Sequence, residues 1–91
     1  MNSDQIPVAK VDSVVVRQTE DGALILDQDN EKIHQLNSTA TYIWNHCDGT
    51  HTVNSIATLF SRSFDVSLDI AETDVQTILK NLEALHLIGF K

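Results

Sequence analysis

Histidine and cysteine are the residues of this chain most able to do chemistry on their own, and three of them stand close together. His46, Cys47 and His51 are ligand types that zinc prefers. On a helix, however, neighbouring positions such as 46 and 47 point about 100° apart, and no fourth ligand follows at a usual spacing. The pattern therefore predicts a buried, structural Cys47 and no metal site, with a small metalloprotein as an alternative.

Other catalytic patterns are equally weak. A nucleophilic cysteine needs a base beside it, and the residues around Cys47 supply none. The run Asp27–Glu31 begins like a calcium loop, but the sixth position of that loop carries no glycine. His34 falls on a predicted strand, where an imidazole is more often solvated than catalytic, and phosphate-loop and dinucleotide fingerprints are absent. We therefore expect a protein without enzymatic activity, cofactor or bound metal.

Length and composition indicate one small domain that spans residues 1–91. A chain of 91 residues with 42% hydrophobic side chains can fold around one core. The single cysteine allows no internal disulfide, which indicates a reducing compartment, and the polar start Met1–Gln5 does not have the form of a signal peptide. No window is long and apolar enough to span a membrane. We therefore expect a cytoplasmic protein without a membrane partner.

Net charge narrows the range of partners further. Thirteen acidic side chains against six basic ones give a formal charge of −7. Such a surface repels phosphate backbones, so nucleic acid is not an expected partner. The acidity favours a basic protein or peptide by steering its approach, although an acidic surface is also a common way to keep a protein soluble.

The first part of the chain is predicted to form short strands. Val14–Gln18 is β-branched, Ala23–Leu26 is continuously apolar, and Lys32–Leu36 alternates polar and apolar side chains as a half-exposed strand does. The turn signal Glu20–Gly22 separates the first two strands. Residues 1–11 contain the only proline and show little periodicity, and they are predicted to be a flexible arm or a first irregular strand.

From Asn37 onward the apolar period changes to that of helices. Capping candidates at Asn37–Thr39 precede a first helix, which Asp48–Gly49 ends. A second helix follows the capping candidate Thr52, and a third is predicted over Leu68–His86. The apolar stripes of these helices are, in order, Ala40, Ile43, Trp44 and Cys47; Val53, Ile56, Ala57, Phe60 and Phe64; and Ala71, Val75, Ile78, Leu82 and Leu85.

This order predicts an α+β fold of the winged-helix type, in which a three-stranded antiparallel sheet is followed by three helices. Trp44 and Cys47 should face the sheet, and Leu87–Lys91 should return as a short strand or simply pack. The third strand should form an edge of the sheet, and a free edge is a template for another chain. On physical grounds alone, an edge strand that binds no partner is an equal alternative, because Lys32 discourages pairing with another strand.

An ordered set of short motifs resembles the PqqD family from about Val14 to Ile88. Members of that family are small, non-catalytic peptide chaperones and the type example of the element that recognises precursors of ribosomally made, modified peptides. Their winged-helix fold has three N-terminal strands and three helices, in agreement with the order predicted above. The motifs are Leu36-Asn37-Ser38-Thr39-Ala40, Ile43-Trp44, Cys47-Asp48-Gly49, Thr52-Val53, Ile56, Phe64-Asp65-Val66, and Asp74-Val75 through Leu79 and Leu82.

The resemblance implies that a leader peptide binds as an added strand along the third strand, beside the third helix. It also implies a modifying enzyme as a second partner, of the radical S-adenosylmethionine type in the branch that makes pyrroloquinoline quinone. Lasso-peptide leader-binding proteins and other stand-alone members share the same core, so a lasso-peptide or other modified-peptide pathway is the alternative. The implied peptide-binding residues are Lys32, Ile33, His34, Gln35 and Leu36 on the strand and Asp74, Val75, Ile78, Leu79 and Leu82 on the helix, and which of the apolar helix residues line the groove is left open.

A DNA-binding winged helix is the alternative from a different functional class. Such a protein needs a basic recognition helix. The predicted third helix instead carries a single Lys80 against four acidic side chains, Asp69, Glu72, Asp74 and Glu83.

Overall fold

The computed structural model describes residues 2–91, and within that range a three-stranded antiparallel sheet is followed by three helices. The sheet joins β2, β3 and β4 in that order, while β1 and β5 pair separately. The predicted α+β fold is therefore confirmed, and the third strand of the sequence prediction is β4. The elements are β1 Pro7–Ala9, β2 Val14–Thr19, β3 Gly22–Asp27, β4 Lys32–Asn37, α1 Ser38–Asn45, α2 Val53–Phe64, α3 Leu68–Ala84 and β5 Ile88–Phe90.

A close approach of two backbones explains the glycine at the start of β3. Gly22 lies opposite Thr19 of β2 and opposite Asn37 of β4. A Cβ atom on Gly22 would collide with the carbonyl oxygen of Leu36, so only glycine fits there without a shift of the backbone. This contact fixes the end of β4 immediately before α1 begins.

Each helix begins at a side chain that accepts a hydrogen bond from the first turn. The Asn37 side chain accepts from the Ala40 N–H at 2.9 Å, and Thr52 and Ser67 cap α2 and α3 in the same way. Of the capping candidates predicted for α1, Asn37 is thus the one that caps the helix. Because Asn37 is also the last residue of β4, the strand passes into α1 without a loop.

The core lies between the inner face of the sheet and the helices. Trp44 is 7% exposed and Cys47 is 2% exposed, so the prediction that both are buried is confirmed. The indole N–H of Trp44 donates to the carbonyl oxygen of Leu87 at 3.4 Å. The largest fully buried side chains include Ile25 from β3, Ile43 from α1, Val53 and Ile56 from α2, and Val75, Leu79 and Leu82 from α3.

The N-terminal segment is bound to the domain where β1 runs. Pro7–Ala9 pairs with β5 in antiparallel register, and the Ala9 N–H donates to the carbonyl oxygen of Cys47 at 2.6 Å. The flexible-arm interpretation of residues 1–11 is therefore corrected at β1, where the alternative of a first strand holds; Met1 lies outside the described residues. A strand of three residues has too few side chains to show a period, and its partner comes from the far end of the chain.

A tight turn ends α3 at Ala84 rather than at the predicted His86. His86 has a φ of 60°, and its N–H donates to the carbonyl oxygen of Glu83 at 3.0 Å. The Leu87 N–H donates to the carbonyl oxygen of Leu82 at 2.9 Å. Together these two bonds form the Schellman motif that satisfies the last carbonyls of a helix. The turn sends the chain into β5 and leaves the side chain of His86 near β4.

Replacing Trp44 by alanine should lower the free energy of unfolding by about 3–5 kcal/mol, because the substitution empties a large volume in the core. Urea unfolding followed by circular dichroism measures the loss. The control is Val11→Ala, since Val11 is 72% exposed and its truncation should change stability by less than about 0.5 kcal/mol. A loss below about 1 kcal/mol for Trp44→Ala would contradict the packing of the indole described above.

Asp48 ties down the loop between α1 and α2. Its carboxylate accepts hydrogen bonds from the Thr50 hydroxyl at 2.7 Å, from the Thr50 N–H at 2.9 Å and from Nδ1 of His51 at 3.0 Å. These bonds, with those of Thr50 first, hold the pKa of the Asp48 carboxyl well below its ordinary 3.8. The folded protein therefore binds fewer protons at Asp48 than the unfolded chain does, which stabilises the fold at neutral pH.

The stabilisation by Asp48 should be complete above about pH 4 and should be lost as the pH falls below that value. The variant Asp48→Asn has no carboxylate to protonate, so its free energy of unfolding should fall less steeply than that of the wild type over this range. Urea unfolding at a series of pH values measures the two slopes. Equal slopes in the two proteins would show that the hydrogen bonds of Asp48 do not contribute.

Candidate functional site

One of the two edges of the sheet is the side of β4 that faces away from β3. Lys32–Asn37 pairs with β3 along its whole length, from Lys32 opposite Asp27 to Asn37 opposite Gly22. Within residues 2–91 no strand pairs with the other side of β4. The predicted edge is therefore confirmed, and the backbone groups on that side have no partner in the sheet.

The side chains of β4 alternate between the two faces of the sheet. Leu36 is 6% exposed and His34 is half-buried, so these point toward the helices, and Lys32 shares their face. Ile33 is 68% exposed and lies with Gln35 on the outer face. An added strand would therefore meet Lys32, His34 and Leu36 on the α3 side.

The α3 residues predicted for the site divide into two groups. Val75 and Leu79 are fully buried in the core, where no ligand touches them without unfolding. Ile78 and Leu82 line a hollow between β4 and α3. Asp74 is exposed and lies one turn before Ile78 on the same stripe of the helix. The structure thus brings Ile78 and Leu82 to the strand and keeps Val75 and Leu79 beneath them.

Several residues of the groove were not predicted from the sequence. The hollow of about 260 Å³ beside the end of β4 is also lined by Ala40, Asn81 and Leu85. Leu85, which was assigned to the core stripe of α3, is 42% exposed. The missed signal is a second stripe next to the core stripe, since Asp74, Ile78, Asn81 and Leu85 follow each other at intervals of four, three and four residues.

The groove continues past Leu85 into a second hollow of about 330 Å³, which has a polar lining. We call this hollow the polar half of the groove, and we call the hollow at Leu36, Ala40, Ile78 and Leu82 the apolar half. The polar half lies at the start of β4 and at the C-terminal end of α3, so the strand and the helix run in opposite directions. Its lining is Asp27, Asn30, Lys32, His34, Ala84, Leu85 and His86.

A buried carboxylate fixes the turn that leads into the polar half. Asp27 is 1% exposed, and it accepts hydrogen bonds from the side chain of Asn30 at 2.8 Å and from Nζ of Lys10 at 3.2 Å. The bond from Asn30 is the main cause that lowers the pKa of the Asp27 carboxyl, which keeps the group ionised despite its burial. The turn between β3 and β4 is therefore tied both to itself and to the N-terminal segment.

Cys47 has a structural role in the core and is not a reactive thiol. Burial raises the pKa of the Cys47 thiol to about 12, and the thiol donates to the carbonyl oxygen of Ile43 at 3.2 Å, so it is not an activated nucleophile. Among residues 2–91 no group of three or more His, Cys, Asp or Glu side chains is arranged to hold a metal ion. Over the same range no helix combines the length and the apolar character needed to cross a membrane.

Comparison with known sequences decides the family. The sequence model of one family, described as Coenzyme PQQ synthesis protein D (PqqD), matches residues 22–88. The chain belongs to the PqqD family. The matched stretch starts with β3 and ends in β5, so it contains every element of the groove. A search of curated proteins finds no match to this PqqD-family chain.

Solved structures share the fold of this PqqD-family member over nearly its whole length. Lasso peptide synthetase B1 complexed with its leader peptide has a TM-score of 0.79 and 23% identity, and the match covers 92% of this chain and 98% of the synthetase chain. TbiB1 in complex with the TbiA(beta) leader peptide has a TM-score of 0.77 and 18% identity, with 89% and 93% covered.

A third structure comes from the PqqD family itself. It is the PqqD truncation of Methylobacterium extorquens PqqCD, which represents a functional, stand-alone recognition element for ribosomally synthesized and post-translationally modified peptides. Its TM-score is 0.76 at 23% identity, and the match covers 98% of this chain and 93% of that one. At identities of 18–23%, these three structural matches establish the fold of this chain.

Truncation of two neighbouring residues on α3 should distinguish a side chain that faces the groove from one that packs in the core. Leu79→Ala should lower the free energy of unfolding by about 2–5 kcal/mol, because Leu79 is fully buried. Ile78→Ala should cost about 1 kcal/mol, because the half-buried side chain of Ile78 already faces the groove. Urea unfolding measures both losses, and a larger loss for Ile78→Ala would reverse the assignment.

Proposed function

We propose that this protein is a non-catalytic peptide chaperone for a ribosomally made precursor peptide. The leader of the precursor would add to the sheet as a fourth strand along β4, and the domain would present it to a modifying enzyme. The observation that carries the proposal is the free edge of β4 beside an open groove, in a chain that belongs to the PqqD family. The backbone groups of the edge provide affinity, and the pockets of the groove provide specificity.

The solved relatives support leader-peptide binding by this fold. Lasso peptide synthetase B1 and TbiB1 each hold a leader peptide, and both share the fold of this chain. The third relative is itself a recognition element for modified peptides. A domain with the same fold and an unpaired edge strand at β4 is suited to the same task.

The proposed contacts divide by face. The backbone of Lys32–Leu36 would pair with the leader, while Lys32, His34 and Leu36 would meet its inward side chains. Ile78 and Leu82 would form the opposite wall, with Asp74 at its far end and Val75 and Leu79 supporting it from the core. Ile33 and Gln35 would flank the leader on the outer face of the sheet.

We propose pyrroloquinoline quinone synthesis as the pathway, because the matching family model is that of a synthesis protein of this coenzyme. The enzyme partner in that pathway would be of the radical S-adenosylmethionine type. A lasso-peptide pathway is the second candidate, because lasso peptide synthetase B1 shares the fold of this chain and was solved with a leader peptide. The modifying enzyme encoded beside the gene distinguishes the two.

The remaining properties follow from the same proposal. The domain itself would need no cofactor and no metal, and it would work in the cytoplasm, where a free cysteine such as Cys47 is stable in its reduced form. DNA binding has no comparable support, since α3 carries Lys80 against four acidic side chains and neutralisation of phosphates requires basic ones.

Titration with the leader of a precursor encoded near the gene tests the proposal. Amide resonances of residues 32–36 and 74–82 should shift most in ¹⁵N-correlated spectra, because they border the added strand. The variant Ile78→Asp should weaken binding at least tenfold, since a carboxylate would replace an apolar wall. Isothermal titration measures the affinity.

The matched control is Gln76→Asp, which makes the same change in charge on the same helix. Gln76 lies on the other side of α3, where it borders Ser3 and Asn54, so leader binding should be unchanged. Shifts confined to α2 or to the loop at Asp48 and Gly49 would contradict the proposed mode of binding.

A further inference from the structure

The half-buried imidazole of His34 has an unused hydrogen-bonding atom. Its Nε2 is buried and has no hydrogen-bond partner among residues 2–91. Leaving a buried polar atom unpaired is unfavourable, so nearly all such atoms in folded proteins have a partner. His34 is also a wall of the polar half of the groove. A ligand that enters the polar half and displaces the groups covering Nε2 would supply the missing partner.

The surroundings of His34 are rich in hydrogen-bond donors. Lys32 lies two residues away on the same face of β4, and His86 faces it from the end of α3. The one carboxylate in the lining, Asp27, already accepts bonds from Lys10 and Asn30. The nearby exposed carboxylate of Asp29 also contacts Lys10, at 3.2 Å.

Two of the last carbonyl groups of α3 are already bonded. The carbonyl oxygens of Leu82 and Glu83 accept bonds from the N–H groups of Leu87 and His86, so they are satisfied within the turn. An incoming oxygen acceptor would find a donor at Lys32, and the tautomer of His34 that carries its proton on Nε2 would supply a second. An apolar side chain would leave Nε2 without a partner, and a basic one would be repelled by Lys32.

The polar half is followed by the apolar half at a fixed spacing. His34 and Leu36 are two residues apart on one face of β4, and side chains on one face of a strand recur every second residue. A strand paired with β4 would therefore place residues two apart in the two halves. The half at Leu36 is walled by Ala40, Ile78 and Leu82, which suits an apolar side chain.

We propose that the bound peptide carries an oxygen acceptor, Asp, Glu, Asn or Gln, opposite His34 and an apolar side chain two residues away opposite Leu36. His34 is then the residue that selects the acceptor. This inference rests on the proposed function, because it assumes that a peptide strand pairs with β4. It specifies, beyond that function, which class of peptide side chain binds in each half of the groove.

Selection from an mRNA-displayed library of fully random ten-residue peptides tests the inference. The full chain is immobilised as wild type, His34→Leu and His34→Gln, and Gln18→Leu on the exposed part of β2 serves as the matched control. Peptides from the wild type should show an acceptor and an apolar residue two positions apart. Peptides from His34→Leu should lose the acceptor preference and keep the apolar one.

The affinity of one selected peptide gives a second measure. It should bind His34→Leu about tenfold more weakly than wild type, because a hydrogen bond is lost. His34→Gln retains a side-chain donor and should recover part of the loss, and Gln18→Leu should bind as wild type does. Urea unfolding of each variant verifies that the fold is intact.

The outcomes separate the two proposals. Peptides that shift the amides of residues 32–36 but show apolar side chains at both positions would overturn the inference and leave the proposed function standing. The same holds if His34→Leu keeps the acceptor preference. If no selected peptide shifts those amides, the proposed function fails and the inference fails with it.

Discussion

The position of α3 is the constraint on which the groove depends, and it is set from the side away from β4. The helix packs mainly on α2, on α1 and on β5, with Ala71, Val75 and Leu79 fully buried. The turn at His86 leads directly into β5, which pairs with β1, and β1 in turn bonds to the carbonyl oxygen of Cys47. The helix is thus held without closing on β4, and the space between them stays open.

Much of this fold could be predicted from local patterns. The alternation of Lys32–Leu36, the change of period at Asn37 and the stripe that contains Trp44 each depend on neighbours a few residues apart. The pairing of β1 with β5 could not be found in this way, because it joins the two ends of the chain through strands of three residues. Local periodicity carries no information about such a distant partner.

The site was harder to predict than the fold, because one helix carries two adjacent apolar stripes. Ile78 and Leu79 differ by about 100° around α3, and only the packed neighbours decide that Leu79 enters the core while Ile78 faces the groove. For the same reason the sequence pattern wrongly places Leu85 in the core stripe of α3, whereas its side chain is exposed beside the groove. The orientation of the strand residues was easier to predict, because the side chains of a β-strand point to only two faces.

The charge of the whole chain and the chemistry of the groove act over different distances. The formal charge of −7 sets the field that an approaching molecule meets, and salt screens that field within about 8–10 Å. Inside the polar half, side chains such as Lys32 and His34 act at contact distance. An acidic protein can therefore contain a subsite that favours an acidic or amide side chain, while the rest of its surface favours basic ones.

The direct passage of β4 into α1 has a further consequence for how the domain could be observed. Asn37 is at once the last residue of the edge strand and the cap of α1, and Trp44 follows about two turns along that helix. Because no loop separates them, a displacement of the edge would be passed into the helix that carries the indole, whose N–H is bonded to the carbonyl oxygen of Leu87. Trp44 is also the only tryptophan in the chain. Its fluorescence is thus an intrinsic optical probe of the edge strand, without any attached dye.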